Sequence, residues 1–565
     1  MKKSKFSLLL VLSLVLSVFL TACYGGGNQG SSDGGDKDKD SKEESNVAQE
    51  LKVLESSEIP SMDSVLAEDT ISLSQLNNTN EGLYRIDENQ EPVPGMADGE
   101  PEANEDGTEY TIKLREDAKW SNGEPVTAND FVFAWQRALN PETGSAYGPY
   151  MMMGKIKNAE ALYNGKAKPE DLGIKAKDEK TLVVTLEKPI PFFKSLMAFP
   201  TFYPQNQKFV EEQAANFGKK SENLVFNGPF TIQGWEGPAD TEWTLEKNAE
   251  YWDAKNVSLE KIQFNVSKDP QAAANAFEAG EADVTPKLST PAVIAQYEGD
   301  DRLLRWLEPT IFWLKLNQKN EALANVNIRK AIAMAFNKED LTNEILNNGS
   351  IPANYAVPKE FVTHPESGED FREANGDLLA YNAEEAKKLW AKGLEEIGQK
   401  EVTLVYLGGD TETSKTVDSY MKDQLQNTLE GLTIDVQSVP FSVRLDRDKT
   451  MDYDIQAAGW GPDYLDPISF SDLWITDGGN NRMAYSNEKY DKLLKDAQTT
   501  LANDPAKRFE ALQEAEKVVL DEDAGIAPMY QRASNLLINK NVEGFTYHLV
   551  GPEYSYKWIK ITDAK

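Results

Sequence analysis

The chain is expected to fold as an α/β protein built mostly on mixed sheets. Runs with period-two alternation of apolar side chains follow runs of helical spacing from Glu50 to Tyr453. No segment repeats another along the chain. The 565 residues, 40% of them apolar, supply material for roughly two to four domains with real cores.

The ordered part opens with the alternating run ELKVLE, Glu50 to Glu55, followed by turn chemistry from Ile59 to Asp63. A helix is predicted over Ser72 to Tyr84. YTIKLREDAKW, ending at Trp120, alternates as a half-buried strand, and Ser121 to Pro125 is a turn. Thr127 is then the N-cap of a helix that carries Phe131, Trp135 and Leu139 at helical spacing. Thr181 to Leu186 is a strand that Pro189-Ile190-Pro191 breaks before a helix near Phe192. NGPFTIQGW, TEWTLEKN and KIQFNV read as strands, and DPQAAANAFEAGEADV as a helix. A buried strand is predicted over Phe312 to Asn317 and an amphipathic helix from Asn327. Beyond these come helix Ala383 to Leu394, strand Val402 to Tyr406, helix Ser414 to Leu429 and strand Thr433 to Ser438. A helix from Phe441 to Lys449 and a strand from Tyr453 to Ala457 complete the series.

The first residues carry a separate message. Lys2, Lys3 and Lys5 precede the apolar run Phe6 to Leu20, which ends in Thr21-Ala22-Cys23, the pattern of a secretory signal peptide over residues 1–22. The run is too short for a confident bilayer span. Cys23 is the only cysteine, so no internal disulfide can form. The segment from Tyr24 to Asn46 is rich in Gly, Ser and charge and is predicted to be a flexible tether. Its Asp36, Asp38 and Asp40 miss the glycine and glutamate of a calcium loop, because Ser41 and Val47 stand there.

With 93 acidic against 59 basic residues, the formal charge of −34 repels nucleic acid and anionic lipid. It favours amine-bearing ligands, although plain solubility accounts for it equally well. The tools of common enzymes are missing. The two histidines, His364 and His548, have no cysteine near them, so the usual zinc spacings are absent. Ser486 to Lys489 fits S-x-x-K without its partner motifs, and no nucleophile elbow, P-loop or dinucleotide fingerprint occurs. A pair of carboxylates could still hydrolyse glycosides, which keeps a secreted hydrolase as the rival from another class.

The stretch GWGPDYLDPISF, Gly459 to Phe470, sets Asp463 and Asp466 among aromatic residues, Gly and Pro, with no Lys or Arg between Lys449 and Arg482. A carboxylate in apolar company is costly unless a cation or several donors reach it. Asp466-Pro467 reads as a turn, since Asp caps such turns well.

Several stretches together resemble the extracytoplasmic solute-binding proteins of oligopeptide ABC transporters, over nearly the whole span from Leu51 to Lys565. The most specific is Asp106 to Tyr150, with its strand, W-S-N-G turn and T-A-x-D-F-V helix. NEGLYRID, NGPFTIQGW, NVNIRKAIAMAFNKEDL and GWGPDYLDP support it in the family's order. The resemblance implies a periplasmic-binding-protein-like fold of two lobes joined by a hinge, with a third, family-specific domain. Lobe I would comprise residues 47–81, 202–308 and 533–565, the extra domain residues 82–201, and lobe II residues 309–532. Cys23 resembles a lipobox cysteine, which implies lipid chains on residue 23 and a tether, residues 23–46, on the outer face of a membrane, in a Gram-positive bacterium.

The resemblance also implies the ligand and its contacts. Asp463 would take the N-terminal ammonium of a peptide. Ala458, Gly459, Trp460 and Gly461 would pair with the peptide backbone, opposite Ala67 to Ser72 with Glu68 and Thr70. Tyr147 and Trp460 would add cover and a hydroxyl. The competing readings are a core role for Trp460, a packing role for Tyr147 and a solvated loop acid for Glu68. Some relatives catch the peptide's C-terminus with a cation in the strand before the Trp, where this chain has Gln456-Ala457-Ala458, so no close clamp is expected from that strand. The expected protein is a monomeric peptide receptor that serves an ABC permease, with no catalysis, cofactor or metal. A receptor for one signalling peptide, or for a non-peptide solute, is the alternative within the fold.

Overall fold

The structure, a computed structural model, describes residues 47–564. The signal peptide, Cys23 and the tether lie outside the described residues.

Two layered α/β bodies are built on separate sheets. In the first, strand Glu50–Glu55 runs parallel to Lys261–Val266, which continues antiparallel to Glu242–Lys247 and then Phe230–Gln233. Leu51, Val53, Ile262, Phe264, Trp243 and Leu245 alternate inward along these strands and are buried, as the sequence pattern predicts. In the second, a mixed six-stranded sheet has the order Ile351–Pro352, Ile526–Leu537, Leu303–Leu316, Ile455–Trp460, Val402–Gly409, Leu432–Val439. A further antiparallel sheet of Glu102–Ala103, Glu109–Lys113, Thr181–Thr185 and Ile174–Asp178 carries helix Ala128–Leu139. That helix starts where expected. Thr127 is its N-cap, and the backbone N–H of Thr127 donates to the Asp130 carboxylate at 2.8 Å.

Two long strands join the bodies. Leu303–Leu316 and Ile526–Leu537 pair antiparallel, one end in the six-stranded sheet and the other beside the first body. There the Thr285 N–H donates to Leu537 O at 3.0 Å and the Leu54 N–H to Val284 O at 2.9 Å. Midway the register slips. Leu307 faces Ala533 and Ile311 faces Gln531, so Glu308, Pro309 and Thr310 bulge opposite Arg532 alone. Pro309 has no N–H to give to a ladder, which suits it to that break.

Several expectations change, and the strand predicted to end at Trp120 stops at Lys113. The helix predicted from Ser72 begins at Thr70 and ends at Thr79, because the Asp69 carboxylate caps it by accepting from the Ser72 N–H at 2.8 Å. The strand predicted over Phe312 to Asn317 is much longer, and the strand predicted to end at Ala457 runs on to Trp460. The strand Ile526–Leu537 has no counterpart in the sequence reading.

Candidate functional site

The loop after Trp460 holds two carboxylates with opposite fates. Asp466 is buried and meets the guanidinium of Arg508, on helix Pro505–Lys517, through two hydrogen bonds of 2.8 and 2.7 Å. It also accepts the Ile468 N–H at 2.9 Å, which closes the expected turn. Asp463 is half-buried, and among the described residues no Lys or Arg nitrogen lies within 4 Å of it. Its carboxylate accepts from the Tyr150 hydroxyl at 2.7 Å. Burial pushes its pKa up, opposed by that hydrogen bond and by the field of Lys155.

The segment around Tyr147 to Ser195 clasps this loop. Helix Tyr147–Met152 packs so tightly on helix Ala128–Leu139 that a Cβ on Gly148 would lie 2.0 Å from Ala138 O, so only glycine allows this approach. From that helix the Tyr147 and Tyr150 rings meet edge to face at 5.8 Å. Phe192 stacks on Tyr464 at 4.2 Å, and the Leu465 N–H donates to Ser195 Oγ at 3.2 Å. Lys155 Nζ lies 6.0 Å from the Tyr464 ring centre, near Asp463 yet not paired with it.

Asp463 lines a cavity of about 200 Å³ together with Glu68, Thr70, Tyr147 and Gly461, so five of the predicted site residues come together. Burial pushes the Tyr147 hydroxyl up to about 12, with Asp463 and Glu68 adding to the effect, so it stays a neutral donor. A second cavity of about 630 Å³ shares with the first a wall made of Thr70, Lys287, Glu308, Arg532, Glu553 and Tyr554. Its floor includes Phe312 stacked on Tyr530 at 4.6 Å.

Ala458, Gly459 and Trp460 line neither of these two cavities. They lie on strand Ile455–Trp460, paired on one side with Trp313, Phe312 and Ile311. On its other side that strand pairs with Val402–Gly409 only at Ile455 and Gln456, so among the described residues the edge from Ala457 to Trp460 has no strand partner. Arg444 donates to Ala457 O at 2.9 Å on that stretch. The Trp460 indole nitrogen is buried without a hydrogen-bond partner among the described residues. Ala67 to Ser72 does not form the facing strand, because Thr70 to Ser72 are already the first turn of a helix.

The shared wall is a charge network centred on Glu308 and Arg532 of the slipped strands. Lys287 Nζ donates to Glu308 and to Glu553, each at 2.7 Å. Arg532 Nε donates to Glu308 at 2.6 Å, and the Ser534 hydroxyl also reaches that carboxylate. Burial raises the Glu308 pKa, but Lys287 and Arg532 outweigh it and hold the group at about 2. The strand Ile455–Trp460 offers no cation, as its sequence predicts, yet Arg532 and Lys287 bring cations to both cavities from other elements. Arg447 turns away to Asp452 at 2.8 Å, and Lys449 is exposed. No motif marks this network. Tyr150 was within reach of sequence reading, three residues beyond Tyr147 on the same helix face.

Residues 91–482 match the family described as bacterial extracellular solute-binding proteins, family 5 middle. The dipeptide-binding protein DppE of Bacillus subtilis is 34% identical over 96% of each chain. The chain belongs to family 5 of the bacterial extracellular solute-binding proteins. Among solved structures, Listeria monocytogenes OppA bound to peptide is 43% identical, covers 92% of this chain and 100% of its own, and superposes with a TM-score of 0.75. The pheromone receptor PrgZ is 36% identical, covers 92% of this chain and 100% of its own, and gives a TM-score of 0.76. The protein therefore has the family's two lobes and third domain, and it is a binding protein rather than an enzyme. Among the described residues no helix is long and apolar enough to cross a membrane.

Proposed function

We propose that this family member captures oligopeptides in the cleft between its lobes and hands them to an ABC permease. Every peptide presents an N-terminal ammonium and a repeating backbone. A carrier of many sequences holds those and leaves side chains in roomy pockets. The observation that carries the reading is the contrast within one loop: Asp466 has Arg508, while Asp463 has no protein cation within 4 Å among the described residues and lines a cavity. The ammonium on Asp463 is a charge-assisted contact of roughly 1.5 to 3 kcal/mol. Tyr147 and Tyr150 supply hydroxyls beside it, Glu68, Thr70 and Gly461 complete the pocket, and the peptide backbone adds along the free edge at Ala458, Gly459 and Trp460.

Residues 47–81, 202–308 and 533–565 make lobe I, residues 82–201 the extra domain and residues 309–532 lobe II, with the hinge at the slipped strands. The protein works as a monomer on the outer face of the membrane, held by lipid chains on Cys23 after removal of residues 1–22. A receptor for a single signalling peptide is the second reading, favoured by the likeness to PrgZ.

Mass spectrometry of ligands released on denaturing the purified protein tests this. A mixture of unrelated peptides supports the carrier, and one recurring peptide supports the signalling receptor. A sugar or other solute lacking an amine contradicts both. Partition of the full chain into detergent, lost in Cys23→Ala, tests the anchor.

A further inference from the structure

The charge network at the shared wall is balanced without Glu55. Lys287 and Arg532 carry two positive charges, Glu308 and Glu553 two negative ones, and hydrogen bonds join all four groups. Glu55 is a fifth charge-bearing group, at the end of strand Glu50–Glu55. It is 7% exposed and lines the larger cavity. Among the described residues no side chain hydrogen-bonds to its carboxyl, and only the neighbouring Ser56 backbone and the field of Lys287 favour its anion. The charged groups that face it are Glu553 and Lys287, with the phenols of Tyr554 and Tyr556 beside them. Glu308 and Arg532 line the same cavity.

We propose that Glu55 is a side-chain subsite, which takes the ammonium or guanidinium of a Lys or Arg residue in the bound peptide. This rests on the peptide reading above and adds to it a preference for basic residues beyond the first. A buried carboxyl beside another acid does not ionise alone, and burial, then Glu553, raises the Glu55 pKa to about 8. The empty pocket therefore holds a proton at neutral pH. An arriving cation replaces that proton, so the bound pair is neutral overall and the proton leaves to solvent. The cavity, about 630 Å³, has room for a long basic side chain.

The test uses hexa-alanine and its variants with one Lys or one norleucine at the second to the sixth position, titrated by calorimetry. At one position Lys should bind about tenfold tighter than norleucine, the worth of a charge-assisted contact. That ratio should collapse in Glu55→Gln while hexa-alanine affinity is unchanged. In the wild-type protein, where no variant need fold, the Lys peptide should release a proton at neutral pH and its advantage should grow as pH rises towards 8. No Lys advantage at any position, or an advantage that survives in Glu55→Gln, overturns the subsite while hexa-alanine binding leaves the peptide reading intact. If hexa-alanine and every variant fail to bind, the peptide reading itself falls and the subsite with it.

Discussion

The Tyr150 hydroxyl donates to Asp463 Oδ2 at 2.7 Å, although the two residues lie 313 positions apart. Burial makes the Asp463 anion expensive, and Tyr150 is the donor that offsets part of this in the empty cleft. A carboxylate can accept from several donors, so the hydroxyl need not leave when an ammonium arrives. Asp463 must be ionised to hold an ammonium, and its pKa is already raised. Removing the hydroxyl raises it further. In Tyr150→Phe, peptide affinity should therefore begin to fall at a higher pH on acidification than in the wild-type protein. Calorimetric titrations across the acid range check this, and superimposable pH profiles would contradict it.

Asp466 and Arg508 are the structural counterpart in the same loop, both below a tenth exposed. Arg508→Met strands a buried carboxylate and should cost about 3 to 5 kcal/mol in urea unfolding. Replacing both by apolar residues, Asp466→Leu with Arg508→Met, should recover most of that loss. Peptide affinity of the folded protein should stay close to wild type throughout, since this pair holds the loop and not the ligand.

Gly459 lies opposite Phe312, and a Cβ there would sit 2.7 Å from the ring. Phe312 in turn stacks on Tyr530 with an interplanar angle of 7°, and both rings line the larger cavity. Gly459→Ala should push the ring aside at a cost of roughly 1 to 3 kcal/mol in stability. Peptide binding should weaken with it while the far-ultraviolet circular dichroism stays native. A crystal structure of the variant with Phe312 unmoved would sink the argument.

Much of this was legible along the chain because local signals agreed with the final structure. The Thr127 cap, the alternation in strand Lys261–Val266 and the run of helices and strands from Ala383 onward needed no distant partner. The long strand pair that joins the two bodies was not legible. In Leu303–Leu316, Arg305, Glu308 and Pro309 interrupt the apolar run, and what makes it one strand is pairing with Ile526–Leu537, more than 200 positions away. Asp463 and Asp466 looked alike in sequence. Arg508 lies 42 positions beyond Asp466, and Tyr150 reaches Asp463 from another sheet's helices, so only the fold separates the two acids. The Lys287, Glu308, Arg532 and Glu553 network likewise draws on four segments, two of its partners lying 266 positions apart. The helix start at Thr70 could have been read from Asp69, an acceptable N-cap ahead of Ile71 and Leu73.

A double cycle on the ligand's amine and on Asp463 is the most direct test of the claim that the ligand supplies this acid's cation. Free and N-acetylated forms of one peptide are titrated into the wild-type protein and into Asp463→Asn. Acetylation should weaken wild-type binding by about tenfold or more, and the variant should bind both forms equally weakly. The thermal stability of the empty variant should match or exceed that of the wild-type protein. Equal losses on acetylation in both proteins, or none in the wild type, would contradict the account.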